Sequence, residues 1–316
     1  INYRISLLKG TIIQNVNNIS GRCIESLQEM ALSKSVVEST VTFEKIPTQY
    51  LDINALSNNE SEVTPTVFSA PVTDFKIIPS TADGKIEKKY YDHDSLATDA
   101  IIDLYDTNID ISKISKVLSM GMLGKKKNRK LVPTKWSITA ADDIISRYLI
   151  NNIRDNPILD NYLVFDFNHL ANYYSVILIP DPVWSFEMIE SWIDANGRTH
   201  IGSDYELGKK IDHYPSIAGA YFAGRLSVAE YLFKMRRKAS VLILREIHPE
   251  YFISLGVWQI REGIRECLKS KGKAFDVFDS ALRYATSKTS LSKTEWMRNS
   301  SIIKIRKQKR ISDYLD

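Results

Sequence analysis

Apolar positions repeat with helical spacing most regularly from Ser216 to Lys238, where Ile217, Tyr221, Gly224, Val228, Leu232 and Met235 share one stripe. Directly after it, Ala239 to Ile247 (ASVLILREI) is a nearly unbroken apolar run, the pattern of a strand covered on both faces. Tyr162–Phe167 and Tyr174–Pro180 are rich in aromatic and β-branched residues and read as a pair of strands. Helical spacing predicts helices over Val257–Lys269 and Phe275–Thr286. Another runs over Ile138–Ile153 and opens on a threonine-x-x-aspartate cap, Thr139 and Asp142. Shorter amphipathic helices are predicted over Gly21–Leu32, Leu96–Leu104 and Ile111–Leu118.

These elements predict an α/β fold, with mixed α+β left open: a central sheet with flanking helices and a long irregular N-terminal flank. The flank covers about residues 1–95, where a polar stretch from Ser57 to Thr64 and several prolines suggest extended chain wrapped on a larger body. Residues 1–300 are read as one compact α/β body. Residues 301–316 are basic, show little core-forming periodicity and read as a tail. Strand order is not readable from the pattern.

Composition narrows the class. A chain of 316 residues with 44% hydrophobic content can bury a large core. No apolar run approaches the roughly 18 residues that span a bilayer, so no membrane association is expected. Cys23 and Cys267 stand far apart and the histidines are scattered, which suits a reducing cytoplasm and offers no metal site from this chain alone. Lys and Arg outnumber Asp and Glu only 42 to 38, a net charge of +4. The excess is local, in the runs Lys125–Lys130 and Lys304–Arg310.

Four constellations carry candidate chemistry. In the first, the basic loop Leu123–Pro133 runs into a helix start with hydroxyls at Thr134, Ser137 and Thr139 beside Lys130 and Lys135. Free amides at a helix N-terminus with adjacent cations form an anion site. The structural alternative is a capped helix with Trp136 as a core anchor. Lys125, Lys126, Lys127 and Arg129 of the same loop are the candidate DNA contacts. In the second, Gly219 and Gly224 flank a helical segment ending in Arg225; the readings are an arginine delivered to a phosphate, or a tight helix–sheet contact. In the third, Arg245, Glu246 and His248 end the buried strand, with Arg261 on the following helix; a ligand site at a strand end and a structural ion pair explain them equally well. Glu187 and Glu190, at helical i, i+3 spacing, are read as an acid pair or a solvated helix face.

The fourth is the terminus, Gln308-Lys309-Arg310-Ile311-Ser312-Asp313-Tyr314-Leu315-Asp316. A glutamine, an aliphatic residue three positions on and an aromatic–apolar pair three further is the pattern of sliding-clamp docking peptides. One tight turn gathers Ile311, Tyr314 and Leu315 into an apolar plug, while Gln308 caps a neighbouring polar site. The structural alternative is a last helical turn packed on the body.

Together these segments resemble the archaeal Nre proteins, a family of DNA repair factors. The matching residues are Leu118-Ser119-x-Gly121-x-Leu123-Gly124, Asn128–Ala140 (NRKLVPTKWSITA), Gly219–Arg225 (GAYFAGR), Leu244-Arg245-Glu246, Gly256–Gly263 (GVWQIREG) and the terminal peptide. The resemblance runs from about Gly21 to the end and is most specific over Val132–Ala140. It implies a role in DNA damage repair and binding to the clamp PCNA through the terminal motif. Family members commonly open with a cysteine-rich zinc motif and a Ser/Pro-rich stretch, and neither is in this sequence; zinc would need cysteines from a segment preceding Ile1. Where the resemblance leads one to expect arginine before the tryptophan stands Lys135, which keeps the charge but not the bidentate fork.

The resulting expectation is a clamp-recruited, nucleoid-associated repair factor whose body binds DNA or a nucleotide. Its phosphate-holding cleft is formed by Lys130, Thr134, Lys135, Ser137, Thr139, Arg225, Arg245 and Arg261. Two alternatives stay open: a nucleotide- or phosphodiester-processing enzyme with Glu246 or Glu187 as acid/base, and a pure protein adaptor.

Overall fold

The computed structural model describes residues 9–11, 15–46, 48–51, 66–78, 80–209, 211–251 and 256–307, with the backbone alone at 9–11, 48–51, 66–69 and 307. By its internal contacts the chain divides into two compact units, Ile1–Asn54 with Pro65–Tyr148 and Ala55–Thr64 with Leu149–Asp316.

Unit 1 is built on β4 (Thr66–Ile77), which pairs in parallel with β1 (Lys9–Thr11) and antiparallel with β2 (Ser39–Phe43) and β3 (Thr48–Leu51). The N-terminal flank therefore carries a sheet of its own. α1 (Arg22–Leu32) turns Ile24, Gln28 and Ala31 inward. α2 (Gly84–Tyr91) and α4 (Ile111–Ser119) are capped by the Asp83 and Asp110 side chains on the amides of Lys85 and Ser112. With α3 (Ala97–Asp106) they bury Ile86, Ala100, Ile101, Leu104, Ile114 and Val117.

α5 spans Thr134–Ile153 and starts four residues before the expected Ile138. Pro133 sets this start: its ring fixes φ, it has no amide to leave unpaired, and its carbonyl accepts from the Ser137 amide at 3.0 Å. Thr139 thus lies inside the helix, and its hydroxyl donates back to the Lys135 and Trp136 carbonyls at 3.3 and 3.1 Å.

Unit 2 is a six-stranded sheet in the order β10-β5-β6-β9-β7-β8. Its strands are β5 (Tyr162–His169), β6 (Asn172–Ile179), β7 (Ser185–Ile193), β8 (Thr199–Leu207), β9 (Ser240–Ile247) and β10 (Lys273–Phe275). β7 and β9 are parallel and the other neighbours antiparallel. α6 (Gly219–Met235) and α7 (Val257–Lys269) cover one face, where Val241 and Ile243 of β9 join their core. α8 (Phe278–Thr286), α9 (Lys293–Asn299) and α10 (Ser301–Lys307) belong to the other face, where Leu242 and Leu244 point. That double coverage is why β9 reads as an unbroken apolar run.

Two expectations change. Glu187 and Glu190 lie on a strand, β7, where three positions apart means opposite faces. Ser301–Lys307, expected as tail, is a helix that buries Ile302 and Ile303 against the sheet. Gln308, Ile311, Tyr314 and Leu315 lie outside the described residues.

Close helix–sheet approach explains the internal glycines. A Cβ on Gly224 would sit 2.9 Å from the Met188 sulfur, and one on Gly263 would sit 2.8 Å from the Tyr174 ring. The ring cannot yield as a thioether can, because Tyr174 is fully buried and its hydroxyl donates to Gln259 Oε1 at 3.1 Å. Gly263→Ala should gain about 1 kcal/mol of helix propensity and lose about 2–3 kcal/mol to overpacking. The expected result is a thermal midpoint lower by about 2–6 °C; a midpoint that rose instead would show that α7 has room to spare.

Candidate nucleic-acid interface

In unit 1 the segment from Ser119 to Val132 is a closed loop. The Val132 amide donates to the Ser119 carbonyl at 2.9 Å and the Ser119 hydroxyl returns a bond to the Val132 carbonyl at 2.7 Å. The Leu131 amide ties the loop base to the Val16 carbonyl at 2.7 Å. Arg129 is its internal clamp. Nε donates to the Gly124 carbonyl at 2.8 Å, and the terminal nitrogens donate to the Tyr90 and Asp92 carbonyls at 2.7 Å each. Two of these acceptors end α2, where orphan carbonyls and the negative end of the helix dipole favour a cation. The guanidinium also lies 5.6 Å from the Tyr90 ring. Arg129, expected to contact DNA, is therefore engaged inside the protein. It fixes a loop on which Lys125, Lys126, Lys127 and Lys130 all point into solvent.

The first turn of α5 continues this surface with exposed Thr134 and Lys135. It contains no acidic residue. Ser137 and Thr139 are buried, and the Ser137 hydroxyl donates to the Thr134 carbonyl at 3.0 Å. Their hydroxyls serve the helix. Trp136, considered as a core anchor, is 63% exposed, because the buried stripe of α5 runs through Ala141, Ile145 and Leu149 instead.

In unit 2, Arg225, Arg245 and Arg261 are each buried beneath the helices of one sheet face. Arg225 Nε lies 3.0 Å from Glu206 Oε1 of β8, and the same oxygen accepts from the Trp184 indole at 2.6 Å. Burial, then the Glu206 charge, pushes the Tyr221 hydroxyl pKa well above its ordinary value. Arg245 is ion-paired with Glu190 and donates to Asn172 Oδ1 from Nε at 2.9 Å. Its guanidinium carbon is 5.7 Å from the ring centres of both Tyr174 and Trp192. Burial works against this charge, but Tyr174 and Glu190 outweigh it and hold the guanidinium protonated. Glu206 stands opposite Phe186 and Arg245 opposite Glu190, so about 13 Å of strand separates the two ion pairs. Arg261 packs through its backbone as well, its carbonyl accepting from the Ser227 hydroxyl at 3.2 Å. Lys130, Thr134, Lys135, Ser137 and Thr139 belong to unit 1 and the three arginines to unit 2, so the two sets of the expected phosphate cleft fall in different units.

Both carboxylates considered for acid/base work are fully buried on the opposite sheet face. Glu187 accepts from the Ser300 hydroxyl at 2.5 Å and from the Ser301 and Ile302 amides at 2.7 and 3.0 Å, which makes it the cap of α10. Burial pushes its pKa up, against the pull of those three donors. Glu246 accepts from the Ser290 and Leu291 amides at 2.8 and 2.9 Å and lies 2.9 Å from His248 Nε2. Among the described residues no three His, Cys, Asp or Glu side chains gather to hold a metal ion, and no helix is long and apolar enough to cross a membrane.

Models of the archaeal Nre N-terminal and C-terminal regions match residues 1–196 and 206–314. The chain belongs to the archaeal Nre family. Among its Nre relatives it is 32% identical to the DNA repair protein NreB of Archaeoglobus fulgidus, covering 100% of this chain and 79% of that one. DNA repair protein NreA of the same organism is 40% identical over 64% of this chain and 52% of its own length. DNA repair protein NreA of Haloferax volcanii is 30% identical over 95% and 73%. No solved structure matches.

In this Nre chain the most specific motif, Val132–Ala140, divides by exposure: Pro133, Thr134, Lys135 and Trp136 face solvent, and Ser137 and Thr139 face the core. The role of Arg129 was not readable from its place in a run of lysines. Its one signal was chemical, since only the arginine of that run has the forked donors to bridge several carbonyls.

Proposed function

We propose that this Nre protein acts in DNA repair, holding DNA on the lysine loop of unit 1 and reaching the sliding clamp PCNA through its C-terminal peptide. The observation that carries the reading is the loop itself: Arg129 fixes its backbone from inside while Lys125, Lys126, Lys127 and Lys130 stay exposed. A pinned loop presents its cations without the ordering cost of a floppy one. The names of the relatives support the repair role. Glu187 and Glu246 serve as helix and loop caps, which favours binding over acid/base chemistry at those residues.

Phosphate contacts release counterions, so affinity should fall with salt. Four contacts predict a slope of log K against log salt of about −3 to −4 on duplex DNA. Reversing Lys125, Lys126 and Lys127 to glutamate should flatten that slope by about three contacts' worth and leave the fold intact, since all three are exposed. Titrations at several salt concentrations test this; an unchanged affinity and slope would remove the loop from the interface.

A further inference from the structure

Trp136 is exposed without any part in the packing stripe of its helix. Among the described residues no tryptophan is more exposed than its 63%. A large indole in water is an unused contact surface, and its neighbours say what kind. Lys135 adjoins it in sequence, Lys130 lies six residues back, and both are exposed. The nearest acidic residues along α5 are withdrawn: Asp142 is fully buried, and Asp143 pairs with Arg147 at 2.8 Å. The segment Asn15–Ser20, which meets the base of the loop through Val16, carries no charge. An exposed indole with exposed lysines close to it in sequence on one side, and no exposed carboxylate on its own turn, fits a base with neighbouring phosphates.

We infer that Trp136 is a stacking platform for an unpaired DNA base, with Lys130 and Lys135 on the flanking phosphates. The preferred substrate is then DNA with single-stranded character, because a base inside an intact duplex cannot present its face. This deepens the lysine-loop reading and rests on it. The exposed lysines that precede Trp136 in sequence favour DNA over a protein partner, for which a lone indole would otherwise suit equally well.

The test compares the full chain with Trp136→Ala, Trp136→Phe and the triple lysine reversal, by anisotropy on an oligothymidine and a blunt duplex of the same length. Trp136→Ala should weaken single-strand binding about tenfold, with duplex binding within about twofold and the salt slope unchanged, because no phosphate contact is removed. Trp136→Phe should recover most of the loss. Equal single-strand affinity in parent and Trp136→Ala would overturn the inference; if the lysine variant still weakened both DNAs, the loop reading would stand and Trp136 would belong to a protein contact. Loss on the duplex as large as on the single strand would also overturn it. If the lysine variant bound like the parent while Trp136→Ala lost single-strand affinity, Lys125, Lys126 and Lys127 would leave the interface, and the platform would stand on Lys130, the loop lysine it uses, with Lys135.

Discussion

Arg245→Met is expected to destabilise the protein by about 3–5 kcal/mol, the cost of stranding a buried charge. Arg245 and Glu190 have side chains only 2% and 6% exposed, so water cannot take over when one is lost. Asn172 and Gln259 would lose their shared donor too, since Oδ1 of the first accepts from Arg245 at 2.5 and 2.9 Å and Oε1 of the second at 3.5 Å. The methionine fills much of the slot between the Tyr174 and Trp192 rings, so packing loss is secondary. Adding Glu190→Met to Arg245→Met should recover most of the stability, because an apolar pair in place of a buried ion pair is often neutral. Urea unfolding of the four proteins of this cycle checks it. A single variant within about 1 kcal/mol of the parent would show that the pair is already solvated.

The second large effect concerns the clamp. Burying Ile311, Tyr314 and Leu315 in an apolar pocket gains roughly 1.5–3 kcal/mol each, and ordering the peptide takes back several kcal/mol. A net of about −7 to −9 kcal/mol corresponds to a dissociation constant near micromolar. Ile311→Ala with Tyr314→Ala removes about 3–6 kcal/mol, at least a hundredfold, which calorimetry against PCNA would read as no binding. The thermal midpoint should stay within about a degree, as for surface changes. Of the basic run Lys304–Arg310, Arg306 is engaged within the protein, hydrogen-bonding the Pro180 carbonyl at 3.2 Å and lying 3.5 Å from Asp181, while Lys304 is exposed and free to speed association with an acidic partner surface. Clamp affinity equal to the parent's, or early unfolding of the double variant, would each reject the docking peptide.

Long periodic elements were legible in the sequence. α7 matches its expected span residue for residue, and β9 and β6 lie within two residues of theirs. Legibility failed where polar residues are buried. β7 (SFEMIESWI) conceals its alternation, because Glu187 and Glu190 are both interior, one capping α10 and the other paired with Arg245. A buried carboxylate on a strand looks, letter by letter, like a solvated helix face. α10 was hidden for the same reason: it starts on a cap supplied by Glu187, a residue more than a hundred positions away. At the candidate interface the loop and its lysines were visible as a charge run. The separation of Arg129 from Lys125, Lys126 and Lys127 was not, since it depends on the carbonyls of α2 meeting the loop in space.

The placement of β9 has a consequence for synthesis. β6 and β7 follow one another closely in sequence, yet in the sheet they never touch, because β9 lies between them. As the chain leaves the ribosome, both arrive with a vacant strand-width between them, and the piece that fills it comes only after β8 and α6 have been made. During that interval two apolar strands present unpaired backbone groups to whatever else is nascent nearby. The matched family regions divide within the β7–β8 hairpin, with β6 and β7 in the first and β9 in the second. Neither region alone holds all the strands of the sheet, so β6 and β7 of the first find the strand between them only when the second has been made.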